Sequence, residues 1–473
     1  MIRSPILRSS LALALLGLGG CVTVGPDYRG APDVAGDALN ASTFARAPAN
    51  GVVAQKPVAA WWRVLNDAQL DALIDAALAD SPDLHAATAR LRQSRASLRQ
   101  QETQGLPTIG GTAAAAVLQT GPGTDQQHTT KLYVAGFDAT WEADLFGGTR
   151  RAVEAAAAES EAVEADLADA QVSLAAEVVS AYIELRAQQQ RRVLVQQTSA
   201  YDQQMLMLTQ QRRERGVATA DEVEQMASQL QGDQAALNQI DAAIAAALDQ
   251  LALLTGRTPG ALDSELAAPK ALPALPQTVA IGDPADLVRH RPDIRAAERR
   301  LASSNAQIGE KKADYFPKLT LFGNIGFSGD SPSHLVRASN ATLLGVPYLS
   351  WNFIDFGRTR AAVHGAEAGR DVALAQYQGT VLSALRDANT SLSRYGYQRD
   401  SVLKLLAQEE AARHMAALMQ QRRNAGTASL IDLLDAERSL CTVQQNTIEG
   451  QAELLKDFAS LQKSLGLGWN TAS

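Results

Sequence analysis

Cysteine is almost missing from this chain: 473 residues hold two, Cys21 and Cys441. Two thiols cannot build a disulfide framework, and no CxxC redox or zinc motif is present. Aromatic residues make up only 5% of the sequence, while Ala, Gln, Leu, Glu and Arg fill long stretches. That balance suits extended helix better than a sandwich or an α/β enzyme core. The histidines, His85, His128, His290, His334, His364 and His414, are scattered without metalloprotease spacing, and there is no phosphate loop or nucleophile elbow. The reading therefore assigns no catalytic residue, no cofactor and no metal site. Basic charge is also short, with a formal balance of −8, which argues against a nucleic-acid partner.

What is present begins at the N-terminus. Arg3 and Arg8 precede the apolar run "SLALALLGLGG", which is too short to span a bilayer and reads as a removable export signal over residues 1–20. "Leu18-Gly19-Gly20-Cys21" looks like a bacterial lipobox, so Cys21 is the expected lipidation site. Val22 rather than Asp follows it, which by lipoprotein sorting rules points to the outer membrane. Cleavage removes two positive charges and moves the balance from −8 to about −10. With Cys21 acylated, Cys441 has no disulfide partner and is expected to pack as a small apolar residue. Stability must come from packing and oligomerisation.

The mature chain then repeats itself at an offset of 210 residues. "WEADLFGGTRRAV" from Trp141 matches "WNFIDFGRTRAAV" from Trp351, and "PDLHAATARLRQSRA" from Pro82 matches "PDIRAAERRLASSNA" from Pro292. Pro107 meets Pro317, and "QQRRERGVA" from Gln210 meets "QQRRNAGTA" from Gln420. This period is too long for a solenoid module, so each copy is a fold-sized unit. The expected layout is a lead segment at 21–80, a first copy at 81–267, a Pro-rich linker at 268–290, a second copy at 291–465 and a tail at 466–473.

Each copy reads in one order. A helix opens on a proline at 82–104 and 292–314, where the missing N–H costs nothing. Two strands follow, at 107–118 and 131–143, then 317–329 and 342–354. "PKLTLFGNIGFSG" alternates Leu319, Leu321, Ile325 and Phe327 against Lys318, Thr320, Asn324 and Ser328. "LYVAGFDATWEA" sets Tyr133, Phe137 and Trp141 opposite Asp138, Thr140 and Glu142. A long helical hairpin closes each copy, at 147–255 and 357–465. Its turns fall at Gly216 and Gly426, with Thr219/Glu222 and Ser429/Asp432 as restart caps. Each long arm would reach roughly 100 Å at about 1.5 Å per residue.

The strands have the length of transmembrane β-strands, about 10 to 13 residues, and their apolar faces end in an aromatic. A soluble core is the plainer explanation of such faces. Four strands cannot close a barrel, whose minimum is about eight, so a membrane reading requires chains to pool strands. Two chains would supply eight and three would supply twelve, and both remain open on strand arithmetic.

"CVTVGPDY", "WWRVLNDAQLDALIDAALADSPDL" (61–84), the second "PDI", "WNFIDFGR" and "AGTASLIDLLDAERSL" (425–440) occur in order on the duplicated frame. In these motifs, across essentially the whole mature chain, the sequence resembles the outer-membrane efflux proteins of the TolC-like family, in the lipid-anchored OprM-like or NodT branch. The resemblance implies an α+β membrane protein, a homotrimer whose twelve-stranded β-barrel, four strands per chain, continues into a long periplasmic α-helical barrel. It implies a passive channel for drugs or other small molecules, fed by a periplasmic adaptor protein and an RND-type inner-membrane pump, and seated in outer membrane lipid. Trp141 and Trp351 would lie at the membrane interface. The hairpin tips, Arg212, Arg213, Gly216 and Val217 with Arg422, Arg423, Gly426 and Thr427, would meet the adaptor, although the glycines also simply turn the chain.

The resemblance further implies a constriction just past the second tip, at Ile431 and Asp435 with Arg438 as ion-pair partner. Spacing of four places Ile431 and Asp435 on one helix face. Three aspartates around one axis would repel one another and favour cations; "LLDAER" also fits an ordinary solvated face. The first copy has Gln225 in place of Asp435, so only the second hairpin is expected to gate. The rivals are a copper or silver exporter of the same fold, suggested by His414, Met415 and Met419, a periplasmic coiled-coil scaffold lipoprotein, and a lipoprotein hydrolase. A barrel-forming trimer is expected to persist in unheated detergent gels and to collapse to monomer on boiling; monomeric migration in both lanes would favour the scaffold.

Overall fold

The computed structural model describes residues 23–55, 57–120 and 128–469. The expected export signal, the expected lipidation site Cys21 and the first inter-strand turn at 121–127 fall outside the described residues. The chain divides into two compact units, one of residues 1–32, 90–164 and 296–378, the other of 33–89, 165–295 and 379–473.

The first unit is built on a four-stranded antiparallel sheet. Its strands are β2 (Thr108–Thr120), β3 (His128–Ala143), β5 (Lys318–Gly329) and β6 (Ala341–Ser350), in the order β2-β3-β5-β6. The remaining pair, β1 (Val52–Val53) with β4 (Val279–Ala280), is a parallel bridge in the second unit. Pairing carries Gly111, Phe137, Ile325 and Leu343 into one row across the large sheet. Phe137, Ile325 and Leu343 are 64%, 60% and 84% exposed, so this apolar row has no cover among the described residues. The opposite face carries Asp138, whose carboxylate accepts the Thr112 hydroxyl and the Asn324 amide, the latter at 2.6 Å. Gly136 faces Gly326 in register, and a Cβ on either would strike the other's Cα at 2.7–2.8 Å, so the two central strands approach where side chains are missing.

Strand β6 ends at Ser350, four residues short of the expected 354. The cause is local. Asp355 accepts from the backbone N–H of Gly357 at 2.9 Å and of Thr359 at 2.7 Å, and Phe356 and Gly357 both take positive φ, so the chain is already turning into helix.

Eight α-helices of seven residues or more lie among the described residues. They are α1 (Ala68–Asp80), α2 (Pro82–Gln104), α3 (Gly148–Glu214), α4 (Ala220–Leu254), α5 (Pro284–His290), α6 (Pro292–Ala313), α7 (Arg358–Asn424) and α8 (Leu430–Ser464). One buried stripe on α3 runs through Ala158, Ala162, Ala165, Val172, Ala176, Val179, Ile183 and Arg186, with further buried positions such as Leu174, Val178 and Leu185 beside it, and one on α7 runs through Tyr377, Val381, Ala384, Ala388, Ser391, Tyr395 and Val402. Steps of four and three give the 3.5-residue period of coiled-coil packing. Small residues permit the close approach: a Cβ on Gly450 of α8 would meet Leu405 of α7 at 2.5 Å.

In the second unit the core gathers Leu70, Leu73, Ile74, Leu251, Leu262, Leu266 and Phe458, with Trp61 edge-on to Phe458 at 5.5 Å. Arg186 is fully enclosed there. Its guanidinium donates to Gln69 Oε1 at 2.6 Å, Gln189 Oε1 at 2.7 Å and the Ala268 carbonyl at 2.9 Å, and lies 4.9 Å from the Tyr182 ring. Replacing Arg186 with Ala removes the donor from Gln189 Oε1 and the Ala268 carbonyl in a dry interior, while Gln69 Oε1 keeps Lys270 at 2.8 Å, and is expected to cost about 3 kcal/mol in thermal unfolding. Arg192→Ala, which removes only the half-exposed ion pair to Asp241 at 2.7 Å, is expected to cost under about 0.5 kcal/mol in the same assay.

Candidate functional site

Three groups of residues carry the candidate functions: the strand-to-helix bends, the hairpin tips and the carboxylate cluster beside the second tip.

The bends are duplicated down to single hydrogen bonds. Trp141 donates its indole N–H to the Gly105 carbonyl at 2.9 Å, and Trp351 donates to the Tyr315 carbonyl, 210 residues on, at 3.0 Å. Each ring thus ties the end of a strand hairpin to the end of the preceding helix. Only Trp141 lies inside its strand; Trp351 lies one residue past β6 and is 54% exposed. Beyond the bend the copies diverge. Phe146 stacks on Phe316 with centroids 4.5 Å apart, whereas its counterpart Phe356 is 98% exposed.

A strap formed by residues 23–28 is laid against the first bend. The Val24 N–H donates to the Phe146 carbonyl at 3.1 Å, and Thr23 fills the space a Cβ would need at Gly147. Gly25 sits directly on the backbone of Gly309 in α6. Arg151, only 4% exposed, donates to Asp27 at 2.6 Å, to Glu154 at 2.7 Å and to the Val24 carbonyl at 3.1 Å. Tyr28 donates to Glu298 at 2.6 Å, and burial together with that carboxylate raises the phenol's pKa. The motif "CVTVGPDY" gave the family likeness, but none of these receptors was legible in it.

At the tips, Val217 N–H reaches the Arg212 carbonyl at 2.8 Å and Gly216 N–H the Arg213 carbonyl at 2.9 Å; Thr427 with Arg422 and Gly426 with Arg423 repeat both distances. These are Schellman closures, with Gly216 and Gly426 at φ 72 and 74. Arg212, Arg213, Val217, Arg422 and Thr427 are exposed, and Arg423 is half-buried. The restart caps are unequal. Ser429 and Asp432 form a full capping box, in which the Ser429 hydroxyl and N–H hold the Asp432 carboxyl below the usual range. Thr219 accepts from the Glu222 N–H at 3.4 Å, but the reciprocal Glu222 bond is not formed.

Just past the second tip, Ile431 is half-buried and Asp435 is exposed. Arg438 donates to Asp435 at 2.9 Å, so the residues expected to pair do meet. The sequence reading missed what lies behind them: Arg438 Nε also stands 3.8 Å from Asp202, and Asp202 faces Asp233 of α4. A signal was present, because the second copy carries Ala412 and Val443 where the first carries these two acids. Of the exporter residues, Met415 is exposed rather than packed and Met419 is half-buried, because Ala416 takes the inward position. Cys441 is buried, its Sγ 3.9 Å from Gln197, and burial raises its thiol pKa.

The geometry can be set beside known proteins. The chain is 30% identical to nodulation protein T of Rhizobium leguminosarum over 455 residues, covering 96% of each. It is 28% identical to the antibiotic efflux pump outer membrane protein ArpC of Pseudomonas putida, covering 97% of this chain and 95% of that protein. Among solved structures, the outer-membrane channel OprN superposes with a TM-score of 0.82 at 36% identity, over 94% of this chain and 99% of that one. The fold is therefore the TolC-like channel fold, with four strands and two long helical hairpins per chain. The outer membrane efflux protein family matches twice, at residues 73–257 and 284–467, once for each copy of the repeat, and the chain belongs to that family.

Proposed function

We propose that three copies of this chain close a twelve-stranded barrel in the outer membrane and form a passive efflux channel. The channel is anchored by lipid on Cys21 and conducts drugs or other small molecules that a periplasmic adaptor and an RND-type inner-membrane pump deliver. The observation that carries this reading is the sheet: four antiparallel strands of membrane-spanning length, an uncovered apolar row, and two open edges, β2 and β6. Open edges are not tolerated in lipid, so β6 of one chain must pair with β2 of the next. No helix among the described residues is long and apolar enough to cross a membrane, so the strands are the elements suited to that task.

The internal repeat sets the register of that pairing. Within the chain β3 of the first copy pairs with β5 of the second, Ala139 opposite Gly323. Moving 210 residues forward on one strand and back on the other turns this pair into Leu349 opposite Ala113 of the neighbouring chain. The same operation carries Phe146 on Phe316 into Phe356 on Leu106, which are 98% and 60% exposed. The strap supports the anchor, since Thr23, two residues past the expected lipidation site in sequence, rests on the bend below the first hairpin. The exposed tips offer paired arginines and a small apolar residue, a surface suited to helical hairpins of an adaptor. The constriction is formed by Ile431 and Asp435, with Arg438 holding Asp435 in the closed channel.

Oxidising membranes that carry the Ala113→Cys and Leu349→Cys double variant is expected to yield covalent dimers and trimers, whereas Ala113→Cys with Leu344→Cys, on the opposite face, yields none. Lack of cross-linking in the first pair would remove the edge-to-edge assembly. In planar bilayers Asp435→Ala is expected to raise single-channel conductance severalfold and to lower cation selectivity; unchanged values for both would sink the gate assignment.

A further inference from the structure

The first hairpin carries two acids whose positions in the second copy are held by Ala412 and Val443. Asp202 on α3 is fully buried, and both of its carboxylate oxygens, together with Asp233 Oδ2 on α4, are shielded and receive no N–H or hydroxyl donor among the described residues. Arg438 is the nearby cation, but its Nε stays 3.8 Å from Asp202 while its Nη2 is held by Asp435 at 2.9 Å. The charged groups facing Asp202 are therefore Asp233 from α4 and Arg438 and Asp435 from α8, two acids to one base. Two carboxylates in contact and out of water do not both ionise readily; a single shared proton turns the contact into a strong hydrogen bond.

We propose that Asp202 and Asp233 form a proton-binding site in which one proton is held between the two carboxyl groups, joining α3 to α4 behind the Arg438–Asp435 pair. Its influence on conduction rests on the gate reading above, whereas the site itself does not. Burial, then the facing Asp202 charge, pushes the Asp233 carboxyl up to about 6, and burial likewise raises Asp202. Because the folded-state value lies above the ordinary carboxylate range, the stabilisation is complete below that range and is lost as pH rises through about 6. Loss of the proton adds a second negative charge. That charge repels α3 from α4 and draws Arg438 away from Asp435, so acid holds the cluster closed and alkali loosens it.

The test uses the purified full-length chain. Infrared titration is expected to show a protonated-carboxyl band that fades as pH rises from about 5 to about 8, with the folded-to-unfolded ratio falling about tenfold over the same interval. In Asp233→Asn the side-chain amide donates to Asp202 at every pH, so both changes are expected to vanish; Asp202→Asn read the same way covers failure of the first variant to fold. A titration that disappears in the variant while wild-type conductance ignores pH supports the proton site and counts against the Asp435 gate. Identical titrations of wild type and both variants would overturn the proposal.

Discussion

A β-strand in lipid has nowhere to send an unpaired N–H or C=O, and each such group costs several kilocalories per mole when water is excluded. Strands β2 and β6 both end the sheet with such rows, beneath an apolar face left uncovered. The duplicated layout follows from that constraint. One strand hairpin repeated twice supplies an edge of each kind, and a chain that can pair its first copy with its second can pair its second with a neighbour's first in the same register. Phe356 is held at positive φ and almost wholly exposed, whereas its counterpart Phe146 stacks on Phe316 within the chain.

The contacts at the sheet's helical border fix where its strands end within the chain. The tryptophans bind the carbonyls that end the preceding helices, and Asp355 stops β6 and starts α7 within a few residues. The strap does similar work from outside the repeat, covering Arg151 together with Gly309 of α6 and giving it acceptors. Residues 23–28 thus become part of how the first unit packs.

The copies keep the same tips to a tenth of an ångström in their closing hydrogen bonds, yet they differ in charge placement just above them. The first hairpin has its acids inside, at Asp202 and Asp233, and the second has Asp435 exposed with Arg438 between the two sets. An arginine shared by an inner and an outer acid can be biased by the protonation of either, which a symmetric repeat could not provide.

The repeat register, the helix order, the αL glycines, the caps and the alternating strands were legible in the amino-acid sequence because each depends on neighbours a few residues away: φ preferences, periodicity and side-chain reach. The Asp435–Arg438 pair belongs to this class, since three residues along a helix suffice to bring them together. The end of β6 at Ser350 was misplaced because the hydrophobic pattern runs on through Phe353 and Ile354, while the backbone is governed by Asp355. Arg186 in its cage of carbonyls, Arg151 under the strap and Asp202 against Asp233 were decided by tertiary structure alone. A charged side chain stays inside only where distant segments supply its partners, and at separations of 31 to 127 residues local sequence holds no record of which partner arrives.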